Sequence, residues 1–348
     1  MIANQLGKFN DREKRLIFVV GNSRSGTTMM GRILGKHPEV FTFHELHFFE
    51  QLWMPDDEGK SLEKPEAEKL VTKLLCIQRD GYLSQGDSHR FAEEAKELLA
   101  EIQGKALTKA EIFELFLHYE AVKNGKAIPC DQTPRNVFYI GEILKLYPSA
   151  RIINLIRDPR DVLLSQKGKW KRRFLGAKNI PLTEAIRSRL NYHPITISKL
   201  WNSCIRTANL FVNNERVYSL RFEDIVNAPA ENVQKICEFI GISFDIGLLE
   251  IPQIGSSSGV DRPEQKGIDR ERAGSWQKGG LSKTEIFLCQ WVTRDTMKNN
   301  GYSSLPISPN PWLLIYSIVS LPVQLVLVFL LNLKRMRNIT ETIRRRLV

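Results

Sequence analysis

The chain has 348 residues, of which 42% are apolar, so it can bury a sizeable core and is not a disordered chain. Its 50 lysines and arginines against 39 acidic residues give a net charge of +11, which favours anionic partners without choosing a nucleotide, a nucleic acid, a glycan or a membrane. Five dispersed cysteines argue against a disulfide framework or a zinc site. Residues 1–14 are polar and lack the apolar core of a signal peptide, so we expect no secretory signal.

The first elements are a predicted strand, a glycine-bounded loop and a predicted helix. The apolar run at 16–20 is typical of a buried strand in a parallel sheet, and residues 27–36 carry apolar side chains at helical spacing. Gly21 and Gly26, between them, have the spacing of a phosphate-binding loop, in which backbone N–H groups face an anion at a helix N-terminus.

The loop departs from those that bind nucleoside triphosphates. Thr27 occupies the position where such loops place a lysine, and the nearest cation is Arg24. A loop without that lysine suits a phosphosulfate better than a β/γ-phosphate pair with its metal, although an ordinary glycine turn is the alternative. The candidate anion-binding residues are Asn22, Ser23, Arg24, Ser25, Gly26, Thr27 and Thr28.

The rest of the chain alternates helical and strand patterns. Charged amphipathic stretches predict a helical insert at about 46–126, and residues 255–280 are expected to form a mobile loop. The other predicted elements are helices at 64–78, 91–102, 109–123, 136–146, from 162, 182–206 and 229–240, and strands at 127–130, 151–156 and 217–222. This order predicts an α/β fold, a P-loop-type parallel sheet flanked by helices.

A second charged segment follows the strand at 151–156. Residues 157–161 read Arg-Asp-Pro-Arg-Asp at the carboxyl end of that strand, where open α/β sheets bind ligands. Arg157 and Ser165, about two helical turns apart, are placed to converge on one phosphate. The alternative is a solvated turn with internal Arg–Asp pairs.

These segments resemble the sulfotransferase superfamily that uses 3′-phosphoadenosine-5′-phosphosulfate (PAPS). The likeness covers about residues 14–302 and is closest to the tyrosylprotein and general bacterial branches. It rests on residues 24–45, on Asp-Gln-Thr-Pro-Arg at 131–135, on residues 147–165 and, more weakly, on 217–226.

The resemblance implies which residues bind the donor. The loop around Arg24 would hold the 5′-phosphosulfate, and Arg157 with Ser165 would hold the 3′-phosphate, assisted by Lys169. Residues 267–277 look like a loose version of a segment that folds over the donor, which adds Arg272; a disordered basic loop is the alternative.

The resemblance also implies a catalytic apparatus without a metal. Glu45 falls where the tyrosylprotein branch has its base, and Arg24 would stabilise charge on the leaving phosphate. His44 and His47 are rival bases, although polar loop positions explain both. Gln132 stands where the related motif usually has a lysine, so either Arg24 or Arg135 supplies the charge, or transfer is slower, or the chain is impaired.

The sequence leaves two other function classes open. A P-loop nucleotide kinase or NTPase is one, against which the missing lysine counts. A catalytically impaired, membrane-bound nucleotide-binding homologue is the other. The acceptor, a hydroxyl or an amine on a lipid, a glycan or a peptide, cannot be read, and no motif indicates nucleic acid.

The last segment, 306–348, differs from the catalytic domain expected at 1–305. Residues 312–333 carry no charge, include Pro322, and have the length of a membrane helix, after which a basic tail follows. A single span cannot keep both that tail and the domain on the cytoplasmic side. We therefore expect anchoring at the cytoplasmic face, by a span, a dip or an interfacial helix on anionic lipid, with a buried helix as the alternative.

Overall fold

A computed structural model describes residues 15–81, 90–100, 106–175, 180–254, 262–333, 340–341 and 344–345. The expectation for residues 1–14 lies outside this part of the chain, as do Lys334, Arg335, Arg337 and Arg346 of the basic tail. Within it, the chain has a mixed α/β fold around one parallel sheet, as the sequence predicts.

The sheet has five parallel strands in the order β2-β3-β1-β4-β5. The strands are β1 Leu16–Gly21, β2 Val40–Thr42, β3 Ile128–Asp131, β4 Ala150–Ile156 and β5 Val217–Arg221. The two longest apolar strands, β1 and β4, pair in the centre, with Leu16 opposite Ala150 and Gly21 opposite Leu155. Because the strands are parallel, their carboxyl ends meet at one edge, where the segments after β1, β3 and β4 lie together.

Helices cover both faces of this sheet. The α-helices are α1 Thr27–Gly35, α2 Phe48–Gln51, α3 Lys64–Asp80, α4 Ala92–Ala100, α5 Lys109–Lys123, α6 Ile140–Leu146, α7 Pro159–Lys167, α8 Leu182–Leu190, α9 Pro194–Asn209, α10 Phe222–Asn227, α11 Pro229–Ile240, α12 Lys283–Asn299 and α13 Pro311–Asn332. Among the described residues, 3₁₀ turns lie at Pro55–Asp57, Pro134–Tyr139, Lys169–Phe174, Ile246–Leu249, Arg270–Arg272 and Ser275–Lys278.

Successive side chains of β1 point to opposite faces of the sheet, so the hydrophobic core has two parts. Phe18 belongs to a cluster with the helices of the predicted insert, in which Phe48 stacks on Phe113 with ring centroids 4.0 Å apart. Val19 belongs to a second cluster, with Met30 of α1 and residues of α11. The insert helices are therefore the covering layer of one face of the sheet.

Several predicted elements differ from the structure. The helix expected from Val162 begins at Pro159, because Asp158 accepts a hydrogen bond from the Arg160 N–H at 2.8 Å and caps it. Phe222 starts α10 rather than ending a strand. The prediction of a mobile loop at 255–280 is wrong over its described part, because a short hairpin, β6 Pro252–Gln253 with β7 Arg262–Lys266, and two 3₁₀ turns form there.

The apolar segment near the C-terminus is a helix, α13. Its 22 residues have the length and apolar composition of a membrane span, and none of them is buried. A helix buried in the domain, the alternative weighed from the sequence, is therefore not what the structure contains.

Candidate functional site

The loop between β1 and α1 is built on its two glycines. Gly21 has φ 143° and a Cβ there would lie 2.4 Å from the Leu155 carbonyl oxygen; Gly26 has φ 96° and a Cβ would lie 2.5 Å from Cδ2 of Phe222. Arg24 also adopts a left-handed φ of 78°, which a side chain rarely does. Glycine at positions 21 and 26 therefore allows the loop to curl at the start of α1.

The loop's side chains face different environments. Ser23, Gly26, Thr27 and Thr28 line a cavity of about 140 Å³ together with Glu45. Asn22 does not line this cavity, and its side chain donates to the Ser23 carbonyl at 3.1 Å. Ser25 Oγ is buried and has no hydrogen-bond partner among the described residues, which leaves one hydroxyl of the loop unsatisfied.

Arg157 joins the loop to the segment that follows β7. Its Nη1 donates to the Arg24 carbonyl at 3.1 Å and its Nη2 to the Arg272 carbonyl at 2.5 Å. Its guanidinium lies 4.4 Å from the ring centroid of Phe222, the ring that packs on Gly26. Arg157 therefore connects the loop at the base of the cleft to the segment around Arg272, which covers the cleft.

Ser165 lies beside Arg24 in the same cleft. Arg24 Nε donates to Ser165 Oγ at 2.8 Å, although the two residues are 141 positions apart. Both line a cavity of about 720 Å³ together with Arg157 and Arg272. The structure thus brings the two charged segments singled out from the sequence onto one site.

The other charges of residues 157–161 are structural. Arg160 pairs with Asp158 at 2.7 Å and lies 4.0 Å from the Trp276 ring, fully within the protein. Asp161 accepts three hydrogen bonds of 2.8 Å, from the Gly274 N–H, the Ser275 hydroxyl and the Trp276 N–H. Arg157 itself lies 3.7 Å from Asp161, so internal Arg–Asp pairing runs through this motif, and Arg157 also lines the cleft.

Glu45 lies in the cleft with an imidazole beside it. His47 Nε2 is 3.3 Å from a Glu45 oxygen and His47 Nδ1 is 3.3 Å from Glu50. Desolvation lowers the pKa of His47, but hydrogen bonds and charge from the two carboxylates outweigh it and raise that pKa to about 9. His47 is therefore a cation at neutral pH, which makes it a poor base.

The contact with His47 also lowers the pKa of Glu45. Desolvation raises the pKa of Glu45, but the hydrogen bond and charge of His47, followed by the charges of Lys169 and Arg135, hold it below its usual value. Glu45 is thus ionised at neutral pH and 45% exposed to the cleft. His44 is exposed as well, and its backbone N–H is held by Gln78.

Cations crowd the site. Desolvation and then the charges of Arg172 and Arg157 lower the pKa of Arg24 to about 10. Desolvation and then the charges of Arg24 and Arg135 lower the pKa of Lys169 to about 8. Such mutual repulsion is relieved when an anion binds, so the cleft is electrostatically prepared for a polyanion.

Gln132 lies behind the loop, in a buried polar cluster. Its Nε2 has no partner within the described ranges, and its side chain packs against Gly31 of α1. Desolvation raises the pKa of the neighbouring Asp131 to about 7, against hydrogen bonds from Thr133 and Asn136. Thr133 in turn accepts from the Leu46 N–H at 3.0 Å, so this motif positions the segment that carries Glu45.

Sequence reasoning missed several members of the site. Arg172 lines the smaller cavity beside Glu45, and Phe222 is pinned between Gly26 and Arg157. Glu50, which holds His47 and Arg135, was not considered. A basic run at 169–173 after the second motif was the one available signal for Arg172.

The chain was compared with known proteins. Residues 16–245, about two thirds of the chain, match the family model described as "Sulfotransferase family". The nodulation protein NoeE of Sinorhizobium fredii is 22% identical over 300 residues, covering 82% of this chain and 66% of that protein. The protein-tyrosine sulfotransferase of Drosophila melanogaster is 21% identical over 244 residues, covering 69% and 40%.

These relatives are mostly longer than the matched region. An uncharacterised protein of Aquifex aeolicus is 26% identical over 271 residues, 76% of this chain but 31% of that protein, so the chain spans between about a third and two thirds of the first curated relatives. Among solved structures, the sulfotransferase domain of the curacin biosynthetic pathway is 18% identical, with a TM-score of 0.48, covering 84% of this chain and 99% of that one.

Proposed function

Because the chain belongs to the sulfotransferase family, we propose that it transfers the sulfuryl group of PAPS to a hydroxyl (or amine) of an acceptor. The observation that carries the proposal is the joining of the loop at 22–28 with Arg157 and Ser165 in one cationic cleft. The acceptor class is not fixed by the relatives, whose names refer to proteins and to carbohydrates.

The donor is proposed to lie along the cleft with its 5′ end at the loop. The free N–H groups at the start of α1, the unpartnered Ser25 hydroxyl and Arg24 fit a phosphosulfate. Arg157 and Ser165 fit the 3′-phosphate at the larger end, beneath the segment of Arg272. Two anionic ends on one nucleotide match the two cationic ends of the cleft.

The proposed transfer is in line, with Glu45 as base. An acceptor hydroxyl attacks sulfur while its proton passes to a Glu45 oxygen, the S–O bond to the donor phosphate breaks, and that phosphate leaves with the bond's electron pair. Arg24 and the loop N–H groups receive the charge that develops on the leaving phosphate. His47, one of the rival bases, is cationic at neutral pH, so its proposed role is to keep Glu45 ionised.

Lys169 is proposed to compensate for Gln132. The related motif usually has a lysine at position 132, whereas Lys169 lies close enough to Glu45, Arg24 and Arg135 for their charges to act on it. This changes the role expected for Lys169, from assisting at the 3′-phosphate to stabilising the transferring group. In this role Lys169 would supply the positive charge that Gln132 lacks.

The catalytic domain is proposed to end near residue 305. Leu305 exchanges two hydrogen bonds of 2.9 Å with Gln290 of α12, and Arg160 binds the Ser303 carbonyl at 3.0 Å. Beyond this point α13 is proposed to attach the protein to the cytoplasmic face of a membrane, with an anionic lipid surface as partner. Its length and exposed apolar composition support that attachment.

Two measurements test the proposed function. Titration with the desulfated donor should show binding that Arg157→Ala abolishes, and labelled PAPS offered with fractionated lipids, glycans and peptides should label one fraction. Glu45→Gln should bind the desulfated donor nearly as wild type and label nothing. ATP turnover in place of PAPS turnover would support the nucleotide kinase instead.

A matched control is available on the surface. Glu231→Gln makes the same substitution at a glutamate of α11 that is 65% exposed and pairs with Lys235. It should leave both binding and transfer unchanged. Full transfer activity in Glu45→Gln would remove Glu45 from the proposed mechanism.

A further inference from the structure

Both ends of α13 are fastened to the same domain. At its start, the Asn310 N–H donates to the Thr284 hydroxyl at 3.0 Å. Beyond its end, Arg345 donates to the Phe138 carbonyl at 2.6 Å and pairs with Glu142. A helix that crossed a bilayer would place these two attachments on opposite sides of the membrane.

The helix is also held along its length. Gln324 donates to the Tyr192 carbonyl at 3.3 Å, and Asn332 accepts from Arg187 at 2.7 Å and donates to Asn191 at 3.1 Å. Ser317, Gln324 and Asn332 are the residues of one helical face, which rests on α8 and the turn after it. A spanning helix would draw Arg187 and its partner Glu184 toward the hydrocarbon, at a large cost.

The opposite face of α13 is a stripe of exposed apolar side chains. Its members recur every three or four residues, and each is at least 57% exposed: Trp312, Tyr316, Val319, Val323, Val326 and Leu330. The stripe extends for about 27 Å at 1.5 Å per residue. A water-soluble surface rarely exposes such a patch.

Helix α8 adds a second stripe beside the first. Leu182, Ile186 and Leu190 are 52%, 52% and 41% exposed at a spacing of four residues, and Arg187, which binds α13, follows Ile186 directly. Phe174, 64% exposed, adds to it. It ends the 3₁₀ turn that begins with Lys169, so this surface adjoins the active-site cleft.

We propose that α8 and α13 together form a membrane face that lies flat in one lipid leaflet and does not span the bilayer. This extends the membrane attachment proposed above and is independent of the sulfuryl transfer. The chemistry favours a lipid leaflet as the occupant, because two exposed cations lie beside the apolar side chains and suit anionic headgroups: Arg189 precedes Leu190 on α8, and Lys171 belongs to the 3₁₀ turn that ends at Phe174.

Cysteine labelling of the full chain tests the orientation. All five native cysteines are buried, so added thiols are labelled selectively. Ser308→Cys and Thr340→Cys, exposed positions on either side of α13, should both react with an impermeant maleimide added outside sealed vesicles of phosphatidylcholine with about one third phosphatidylglycerol. Val323→Cys should react in detergent-free solution and be protected by the vesicles.

The outcomes separate the two membrane proposals. A Thr340→Cys thiol that reacts only after detergent is added means that α13 spans, which overturns the flat face but leaves the attachment standing. Failure of the wild-type protein to float with the vesicles overturns both, and a dimer that hides Val323→Cys without vesicles assigns the face to a second copy. None of these results depends on sulfotransferase activity.

A matched pair of variants tests the contribution of α8 to the membrane face. Ile186→Asp should weaken vesicle partitioning by about tenfold, because an aspartate replaces an apolar side chain at the lipid surface. Ile246→Asp makes the same change at a position that is 63% exposed on the turn Ile246–Leu249, away from both helices. Equal partitioning of the two variants would exclude α8 from the face.

Discussion

Replacing His47 with asparagine should move the pH dependence of transfer. His47 carries its charge at neutral pH, because Glu45 and Glu50 raise its pKa from 6.5 to about 9. The net rise corresponds to about 3 kcal/mol, and because desolvation opposes it, the two carboxylates together contribute at least that much. Asparagine suits the left-handed φ of 51° at this position, so the backbone of the segment should persist.

The size of the expected pH shift depends on how much of the His47 interaction energy comes from Glu45. Glu45 is 45% exposed, so solvent screening reduces its share to about 1 kcal/mol, or a little under one pH unit. With the cation removed, the pKa of Glu45 rises, and the base stays protonated to a higher pH. The acidic limb of the kcat/KM profile should therefore move upward by roughly one pH unit.

The assay is the pH profile of kcat/KM with labelled PAPS, measured beside titration of the desulfated donor. His44→Asn is the control, because it makes the same substitution at an exposed residue three positions earlier. That variant should keep the wild-type limb. An acidic limb that stays fixed in His47→Asn, or that moves downward, would refute the idea that this imidazolium holds Glu45 ionised.

Three further changes test the loop, the cover and the cation near Glu45. Gly26→Ala places a methyl group 2.5 Å from Phe222 at φ 96°, so the free energy of unfolding should fall by about 2–3 kcal/mol in thermal denaturation. The variant should also no longer bind the desulfated donor. An unchanged melting temperature would contradict this expectation. Asp161→Asn weakens the three hydrogen bonds to residues 274–276, so stopped-flow measurements should show that the donor dissociates about tenfold faster. Equal dissociation rates in the variant and the wild type would count against the idea that this segment covers the donor. Lys169→Arg should extend the alkaline limb of activity, since the pKa of Lys169 lies at about 8 and arginine stays charged above it; an identical limb would show that this charge is not used.

Local chemistry made part of this molecule predictable. The strand at 16–20 and the glycines at 21 and 26 act through their own backbone and burial, so the strand, loop and helix are where the sequence places them. The break near Pro194 divides α8 from α9 as expected, because proline ends a helix at the preceding residues. β2 escaped detection because a strand of three residues carries no readable period.

The site was less predictable where it depends on tertiary contacts. The motif at 157–161 contains two arginines, of which the sequence assigns Arg157 to the cleft but no role to Arg160. In the fold, Arg160 is enclosed by Asp158 and Trp276, and Arg157 is left to the cleft. Phe222 belongs to the site only because β5 ends beside the loop, a neighbour relation that sheet order decides.

The double grip of Arg157 has a consequence for the kinetics of turnover. One guanidinium holds the Arg24 carbonyl of the loop and the Arg272 carbonyl of the segment above the cleft. In the proposed complex a nucleotide bound between them would enter and leave only when that segment lifts, whereas an acceptor would approach Glu45, whose carboxylate is exposed. We therefore expect a compulsory order, in which the nucleotide arrives first and departs last, and in which its departure limits the steady-state rate.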